Sequence, residues 1–236
     1  MIINANDQYI GRSIEQYGQW AADDIDLIGR ICDFLLQSTP KIIIYDVGSN
    51  IGTHTVALAH RFGERVKIRA FEAQRQVYYM LCGNVAINGL DNVYCEYAAV
   101  SDDPGSLSIQ VPDYKEINNF GGVELQDPVH SDNQTMNKPN TESVTTVTID
   151  SFNESVDFIK MDIEGMEHLA LAGAINTLTS SRPVCFVEMV KTDQSAVKKI
   201  FGQVKYKAYA YKDDDWLFVP NESELIIGDR EKIILE

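Results

Sequence analysis

The stretch Ile42-Ile43-Ile44-Tyr45-Asp46-Val47-Gly48-Ser49-Asn50-Ile51-Gly52-Thr53-His54-Thr55 organises this chain. It begins as a short β-branched apolar run, which is typical of a strand buried on both faces. An acid, two glycines and a Thr-His-Thr segment follow, and apolar residues then recur at helical spacing. The pattern predicts a strand, a tight turn and a helix, with free backbone N–H groups at the helix start. Such a corner suits a small, partly charged ligand.

The composition is that of a globular protein with a strong negative charge. The chain has 236 residues, of which 44% are hydrophobic and 23% charged, and its formal net charge is −15. A protein that binds nucleic acid or an anionic membrane through its charge needs the opposite balance, so we expect neither partner. The simplest consequence of the acidity is solubility.

Cysteine usage and the lack of long apolar runs favour a cytoplasmic protein. The four cysteines, Cys32, Cys82, Cys95 and Cys185, form no CxxC pair and have apolar neighbours, so we expect buried, reduced thiols. The N-terminus has no basic segment ahead of an apolar run, so we expect no signal peptide. No window reaches the roughly 18 apolar residues that a membrane span needs.

Periodicity predicts alternating strands and helices along most of the chain. A helix is predicted over 23–37, with Asp23 and Asp24 in its first turn and Pro40 after its end. Besides the strand that begins at Ile42, strands are predicted at 66–71, 92–100, 156–161, 184–190, 204–211 and 216–219, and helices at 77–88, 166–178 and 194–201. This order predicts a Rossmann-like α/β fold: a doubly wound, mostly parallel seven-stranded sheet with an antiparallel edge strand and helices on both faces.

We expect one domain overall. Residues 1–38 form an N-terminal arm and helix that pack on the core, and residues 39–236 form the domain itself, with an insertion at about 101–149. Within the insertion, 106–111 and 143–149 alternate like strands, and the loop 112–142 between them is rich in Pro, Gly, Asn and Asp. A loop of that length in a compact domain is usually functional or disordered. A homodimer formed through the arm or this loop stays open as an alternative.

Acids follow several predicted strands, where an open α/β sheet binds its ligands. These are Asp46, Glu72, Asp102, Asp162, Glu164 and Glu188. A nicotinamide dinucleotide is disfavoured, because Asn50 stands where the G-x-G-x-x-G fingerprint has its second glycine and Asp46 would repel phosphates. The ammonium and sulfonium of S-adenosylmethionine suit carboxylates better.

Four blocks of the sequence resemble FkbM-type methyltransferases of the class I superfamily. They are Asp46–Thr55, read as Asp-x-Gly-x-Asn-x-Gly-x-x-Thr; Phe71-Glu72-Ala73-Gln74-Arg75 followed by Leu81–Leu90; Phe158–Glu167, which holds Lys-x-Asp-x-Glu-Gly; and Arg182-Pro183 leading to Val187-Glu188. The resemblance runs from about residue 40 to 190, and Ala73 replaces a proline that is frequent in the family. It implies an S-adenosylmethionine-dependent methyltransferase.

The resemblance also implies roles for individual residues. Cofactor-binding roles fall on Asp46, Gly48, Asn50, Gly52, Thr53, Glu72, Ala73, Ser101, Asp102 and Asp162. Glu72 would accept bonds from both ribose hydroxyls, and Asp102 would bond the adenine amino group. The candidates for catalysis are Asp162, Glu164, His54 and Lys160. No residue is assigned as a metal ligand, although Asp162, Glu164 and Glu188 could together hold a magnesium ion.

The predicted reaction is O-methylation of a small-molecule or saccharide hydroxyl, and the oxygen acceptor rests on the resemblance alone. Transfer to a hydroxyl needs an aligned acceptor and a group that takes its proton. A neutral amine needs no base, so an N-methyltransferase acting on a small amine stays open. A non-catalytic S-adenosylmethionine-binding regulatory or scaffold protein is the alternative from another class.

Overall fold

The computed structural model describes residues 1–124, 140–212 and 214–225, in which helices and strands alternate as predicted. The helices are α1 (Ile10–Tyr17), α2 (Ala22–Leu35), α3 (Thr53–Phe62), α4 (Arg75–Ile87), α5 (Glu167–Ala172), α6 (Ile175–Ser180) and α7 (Gln194–Gln203). The strands are β1 (Ile42–Val47), β2 (Val66–Glu72), β3 (Val93–Tyr97), β4 (Ala99–Val100), β5 (Gly105–Gln110), β6 (Thr141–Val147), β7 (Phe158–Met161), β8 (Val184–Glu188), β9 (Tyr206–Tyr211) and β10 (Asp215–Pro220). Within these ranges, no helix is long and apolar enough to cross a membrane.

The main sheet has seven strands in the order β3-β2-β1-β7-β8-β10-β9, which confirms the predicted fold class. Its pairings are parallel except that β10 runs antiparallel between β8 and β9, so the terminal hairpin forms that edge. Alternate residues of β1 serve two cores: Ile42 and Ile44 pack on one side of the sheet, Tyr45 and Val47 on the other. The strand order reverses between β1 and β7, and ligands of such sheets bind beside that reversal.

The prediction of one strand over 92–100 was wrong, because the chain changes sheets after Tyr97. Strand β3 ends the main sheet, whereas β4 joins a second sheet of three strands in the order β4-β6-β5. Ala99, Ile109 and Val144 pack together with Ala73 and bury the apolar sides of those short strands. Both predicted strands of the insertion therefore exist, but in a sheet of their own. Residues 125–139 of the predicted loop 112–142 lie outside the described residues.

The prediction of one helix over 166–178 was also wrong, since two short helices, α5 and α6, replace it. The Asp150 carboxylate accepts hydrogen bonds from the backbone N–H groups of Asn176 (2.9 Å) and Thr177 (2.8 Å), so it caps α6 from outside. Gly173, between the two helices, packs so closely that a Cβ there would lie 2.2 Å from the Ser101 carbonyl oxygen. The break is thus set by contacts distant in sequence.

The N-terminal arm lies against a segment of the insertion. Helix α1, of eight residues, lies within the arm. The arm forms an isolated bridge between Asp7 and Asn118, and Ile10 packs with Phe120 in a small apolar cluster. We call residues 4–20 and 113–123 together the roof.

Candidate active site

A cleft of about 280 Å³ opens at the carboxyl ends of β1, β2 and β7, beside the reversal of strand order. The main domain lines it with Val47, Gly48, Ser49, Asn50, Thr53, His54, Phe71, Glu72, Ala73, Gln74, Ala98, Ala99, Val100, Lys160, Asp162, Ile163, Glu164, Met166 and Glu188. The roof contributes Tyr9, Ile10, Trp20, Asn119, Gly121, Gly122 and Val123. The cleft therefore joins residues of all four sequence motifs and is covered by the roof.

The turn after β1 has the backbone that its glycines suggested. Gly48 and Gly52 have φ angles of +79° and +89°, in the left-handed region. A Cβ at Gly48 would lie 1.8 Å from the Asp162 carbonyl oxygen, so only glycine lets the turn approach the end of β7. The N–H groups of Gly48 and Ser49 both donate to the carbonyl of Phe71, which ties the turn to β2.

Asp46 lies behind the turn and supports it. The residue is 1% exposed, and its Oδ2 accepts a hydrogen bond of 2.5 Å from Thr55 Oγ1 in α3. Its Oδ1 has no hydrogen-bond partner among the described residues and lies 3.7 Å from Lys160 Nζ. Asp46 is thus placed to fix the strand–helix corner, and it does not line the cleft.

Lys160 is buried and links the same turn to the acids. Its Nζ donates to the Gly48 carbonyl at 3.0 Å and lies 3.3 Å from Asp162 Oδ2. Burial opposes its charge, but the Asp162 and Asp46 carboxylates raise the pKa of the ammonium above its usual value. Lys160 therefore stays charged at neutral pH and positions the turn, and its predicted part in catalysis stays a prediction.

Glu72 is the carboxylate best placed to hold a pair of hydroxyls. It is 6% exposed and lies in the cleft wall. One oxygen accepts the N–H of Asn50 (3.0 Å) and the other the N–H of Gln74 (2.7 Å). Each oxygen of an ionised carboxylate has a second lone pair, so two acceptor sites remain. Burial raises the pKa of Glu72 to about 7.

A cluster of three acids also lines the cleft. Oxygens of Asp162, Glu164 and Glu188 lie within 4.8 Å of one another. Burial and the neighbouring Asp162 raise the pKa of Glu164 to about 7 and that of Glu188 to about 10, so Glu188 is protonated at neutral pH. Lys191 Nζ lies 2.7 Å from Glu164 Oε2. The ammonium groups of Lys160 and Lys191 thus already supply positive charge that a magnesium ion would bring.

His54 combines burial with a free nitrogen. It is the second residue of α3, is 9% exposed and lines the cleft. Its Nε2 has no hydrogen-bond partner in the part of the chain that the structure describes. Burial, and then the Lys160 ammonium, lower the pKa of the imidazole, so it is neutral at neutral pH. The same burial and ammonium oppose protonation of the ring, and Nε2 itself is shielded from solvent.

Some predicted cofactor residues lie outside the cleft lining. Asp102 is exposed and accepts a hydrogen bond from Ser101 Oγ at 3.0 Å, and the preceding residues 98–100 line the cleft instead. Gly52 also lies behind the surface, whereas Thr53 and Ala73 line it. Sequence reasoning assigned no role to Gln74 or to individual roof residues, which also line the cleft. The features of the sequence that point to the roof are the aromatic residues of the arm and the Gly121-Gly122 pair.

Comparison with known proteins points to one family. A family model described as Methyltransferase FkbM domain matches residues 46–212. The crystal structure of methyltransferase FkbM from Methylobacillus flagellatus KT is similar with a TM-score of 0.52 and 16% identity, covering 76% of this chain and 44% of that one. The structure of monomeric WbdD is similar with a TM-score of 0.50 and 11% identity, covering 89% of this chain and 44% of that one.

These structural similarities show the fold alone. The chain spans less than half the length of either protein, at 44% in both cases. No curated protein matches the chain in sequence.

Proposed function

Since the chain belongs to the Methyltransferase FkbM domain family, we propose that it transfers a methyl group from S-adenosylmethionine to a hydroxyl oxygen of a small molecule or saccharide. The observation that carries the proposal is the buried Glu72 carboxylate, which keeps two acceptor sites beside the glycine turn. A vicinal diol such as that of a ribose would use both sites.

The cleft residues divide into a cofactor end and an acceptor end. When bound, S-adenosylmethionine supplies a methyl group already activated by its sulfonium. Glu72 holds the ribose, Gly48 and Asn50 let the turn approach the amino-acid half, and Asp162 lies between the two ends. Lys160 keeps the turn and Asp162 in register through its contacts with both. The protein thereby aligns the two reactants.

His54 is the residue that we assign to take the acceptor proton. Its imidazole is neutral, lines the cleft near Lys160 and Asp162, and has a buried nitrogen, Nε2, without a hydrogen-bond partner among the described residues. Glu188 holds its own proton at neutral pH and so cannot serve as the base there. Asp162 and Glu164 then orient the hydroxyl as hydrogen-bond acceptors.

N-methylation of a small amine is a second candidate. It is favoured by the Asp162 and Glu164 carboxylates, which have oxygens within 4.8 Å of one another and would attract an ammonium group. An amine must lose that proton before it attacks, and His54 could take it as well.

A transfer assay with a panel of acceptors tests both candidates. Protein is mixed with S-adenosylmethionine and with polyols, saccharides or primary amines, and release of S-adenosylhomocysteine is measured. We expect release with hydroxyl acceptors. Release with amines alone would replace the first candidate by the second, and S-adenosylhomocysteine binding without release across a broad panel would favour a non-catalytic binding protein.

The same assay tests the metal. Because Lys160 and Lys191 lie against Asp162 and Glu164, we expect turnover to be unchanged by excess chelator. Loss of turnover on chelation, restored by Mg²⁺, would instead assign a magnesium ion to these acids.

A further inference from the structure

The two N–H groups that bond Glu72 belong to residues that also contact the roof. Gln74 donates its backbone N–H to Glu72 at 2.7 Å, and its side-chain Nε2 donates to the carbonyl of Phe120 at 2.8 Å. The hydroxyl of Tyr114 donates to Gln74 Oε1 at 3.0 Å. Gln74 therefore holds the carboxylate with its backbone and the roof with its side chain, and it is only 6% exposed.

Asn50 repeats this arrangement on the other oxygen. Its backbone N–H donates to Glu72 at 3.0 Å. Its side-chain Nδ2 packs so close to Gly121 that a Cβ on that glycine would lie 3.0 Å away. Each oxygen of Glu72 thus accepts a hydrogen bond from a residue that itself contacts the roof.

The roof is joined into one unit by its own hydrogen bonds. Asn118 exchanges backbone bonds with the arm, accepting from Gln8 N–H (3.1 Å) and donating to the Asn6 carbonyl (3.0 Å). The Tyr114 carbonyl accepts the side-chain amides of Asn4 (3.0 Å) and Asn6 (3.2 Å). A contact that fixes residues 114–120 therefore also fixes the arm, which carries Tyr9 and Trp20 over the cleft.

We propose that Gln74 is a positioning residue that couples occupancy of the Glu72 site to closure of the roof over the acceptor end of the cleft. The inference rests on the proposed function, in which Glu72 holds the cofactor. Hydroxyls bound to Glu72 fix its carboxylate, and that carboxylate fixes the backbone of Gln74 and Asn50. A ligand shifts such an equilibrium through its different affinity for the two states, so the cofactor binds the closed form more tightly. Cofactor binding consequently favours acceptor binding, and acceptor binding favours cofactor binding by the same factor.

Hydrogen exchange of backbone amides tests the coupling, with S-adenosylhomocysteine as the ligand. Exchange at residues 4–14 and 114–123 is measured with and without ligand in the wild type, Gln74→Leu, Gln74→Glu and Tyr114→Phe. Gln194→Leu is the matched control, because Gln194 Nε2 also donates to a backbone carbonyl at 2.8 Å, that of Met189, outside the cleft lining. Calorimetry gives the affinity of each variant.

We expect the ligand to slow exchange of the roof about tenfold in the wild type and the control, as two closing hydrogen bonds would. In Gln74→Leu we expect no slowing of the roof and a loss of affinity smaller than in Glu72→Ala, since its backbone N–H still bonds Glu72. Gln74→Glu keeps an acceptor for the Tyr114 hydroxyl but loses the donor to the Phe120 carbonyl. Tyr114→Phe loses the bond from the hydroxyl and keeps the bond to Phe120. Each variant therefore retains one of the two bonds, and both should give intermediate slowing.

Four results would overturn the coupling. One is equal slowing in the wild type and Gln74→Leu. Another is a loss of affinity in Gln74→Leu as large as in Glu72→Ala, which would make Gln74 part of the cofactor site. Failure of the wild type to bind S-adenosylhomocysteine would overturn the proposed function, and the coupling with it. If Gln74→Leu fails to fold, unaltered slowing in Tyr114→Phe and Gln74→Glu overturns the coupling on its own.

Discussion

At the scale of single residues, Glu72 makes ligand affinity depend on pH. Burial raises its pKa to about 7, and hydroxyl groups donate to the ionised form. Affinity for S-adenosylhomocysteine should therefore rise as pH rises through 7 and be about tenfold weaker at pH 6 than on the alkaline plateau. Calorimetry from pH 6 to 8.5 measures this.

The Glu72→Gln variant should bind weakly with little pH dependence over the same range. Glu164 titrates in the same cleft with a pKa of about 7, so Glu164→Gln is the companion variant and should keep the wild-type profile. If the pH dependence of affinity is lost in Glu164→Gln and kept in Glu72→Gln, the assignment of Glu72 as the titrating group is contradicted.

Replacing His54 should slow turnover without weakening cofactor binding. With an acceptor found by the panel, His54→Asn is expected to lower kcat by about 10²- to 10⁴-fold, the usual contribution of a general base. S-adenosylhomocysteine affinity should stay within about threefold. His168→Asn is the control, because His168 bonds Thr192 and does not line the cleft. Equal turnover in the two variants would remove His54 from the mechanism.

The sequence was enough to predict site residues that stand at the end of a strand. It did not predict the contacts of residues whose partners are distant in sequence. Asp46, Glu72 and Asp162 were predicted from their positions after apolar runs, and the structure places them around one edge. Gln74 contacts Tyr114 and Phe120, which lie 40 and 46 positions further along the chain, and no local sequence pattern indicates such contacts. Nor could any pattern show that Lys160 bonds the Gly48 carbonyl.

At the scale of elements, the break between α5 and α6 depends on Gly173. Gly173→Ala should lower the free energy of unfolding by about 1–3 kcal/mol, because its Cβ would lie 2.2 Å from the Ser101 carbonyl oxygen and the backbone must shift. Denaturant unfolding measures the change. Gly202→Ala is the control: a Cβ there meets nothing within 4 Å in α7, so the substitution should be neutral or stabilising by up to about 1 kcal/mol. Equal effects would contradict the close-packing explanation.

Local periodicity explains why the elements themselves were largely predictable and their interruptions were not. Apolar residues keep helical spacing through 166–178, so the sequence carries no local stop at Gly173. The interruption comes from the Asp150 carboxylate, which accepts the N–H groups of α6. In the same way, 92–100 keeps a strand-like composition across the point where the chain leaves one sheet for another.

At the scale of the whole molecule, the alternation of strands and helices was enough to predict the main sheet. It also placed the ligand edge, since parallel strands joined by helices bring their carboxyl ends together. The pairing of the arm with residues 113–123 was not predictable, because the two segments are joined through backbone and asparagine bonds more than 100 residues apart. Such pairing leaves no period in the sequence.

Calorimetric titration of S-adenosylhomocysteine into the wild type, Glu72→Ala and Asp150→Ala tests the central claim most directly. Asp150 also accepts two backbone N–H groups but lies outside the cleft, so it controls for loss of a structural carboxylate. We predict saturable binding to the wild type and Asp150→Ala, binding to Glu72→Ala that is at least about tenfold weaker, and no binding of NAD. Binding of NAD but not of S-adenosylhomocysteine, or equal affinity in all three proteins, would contradict the account.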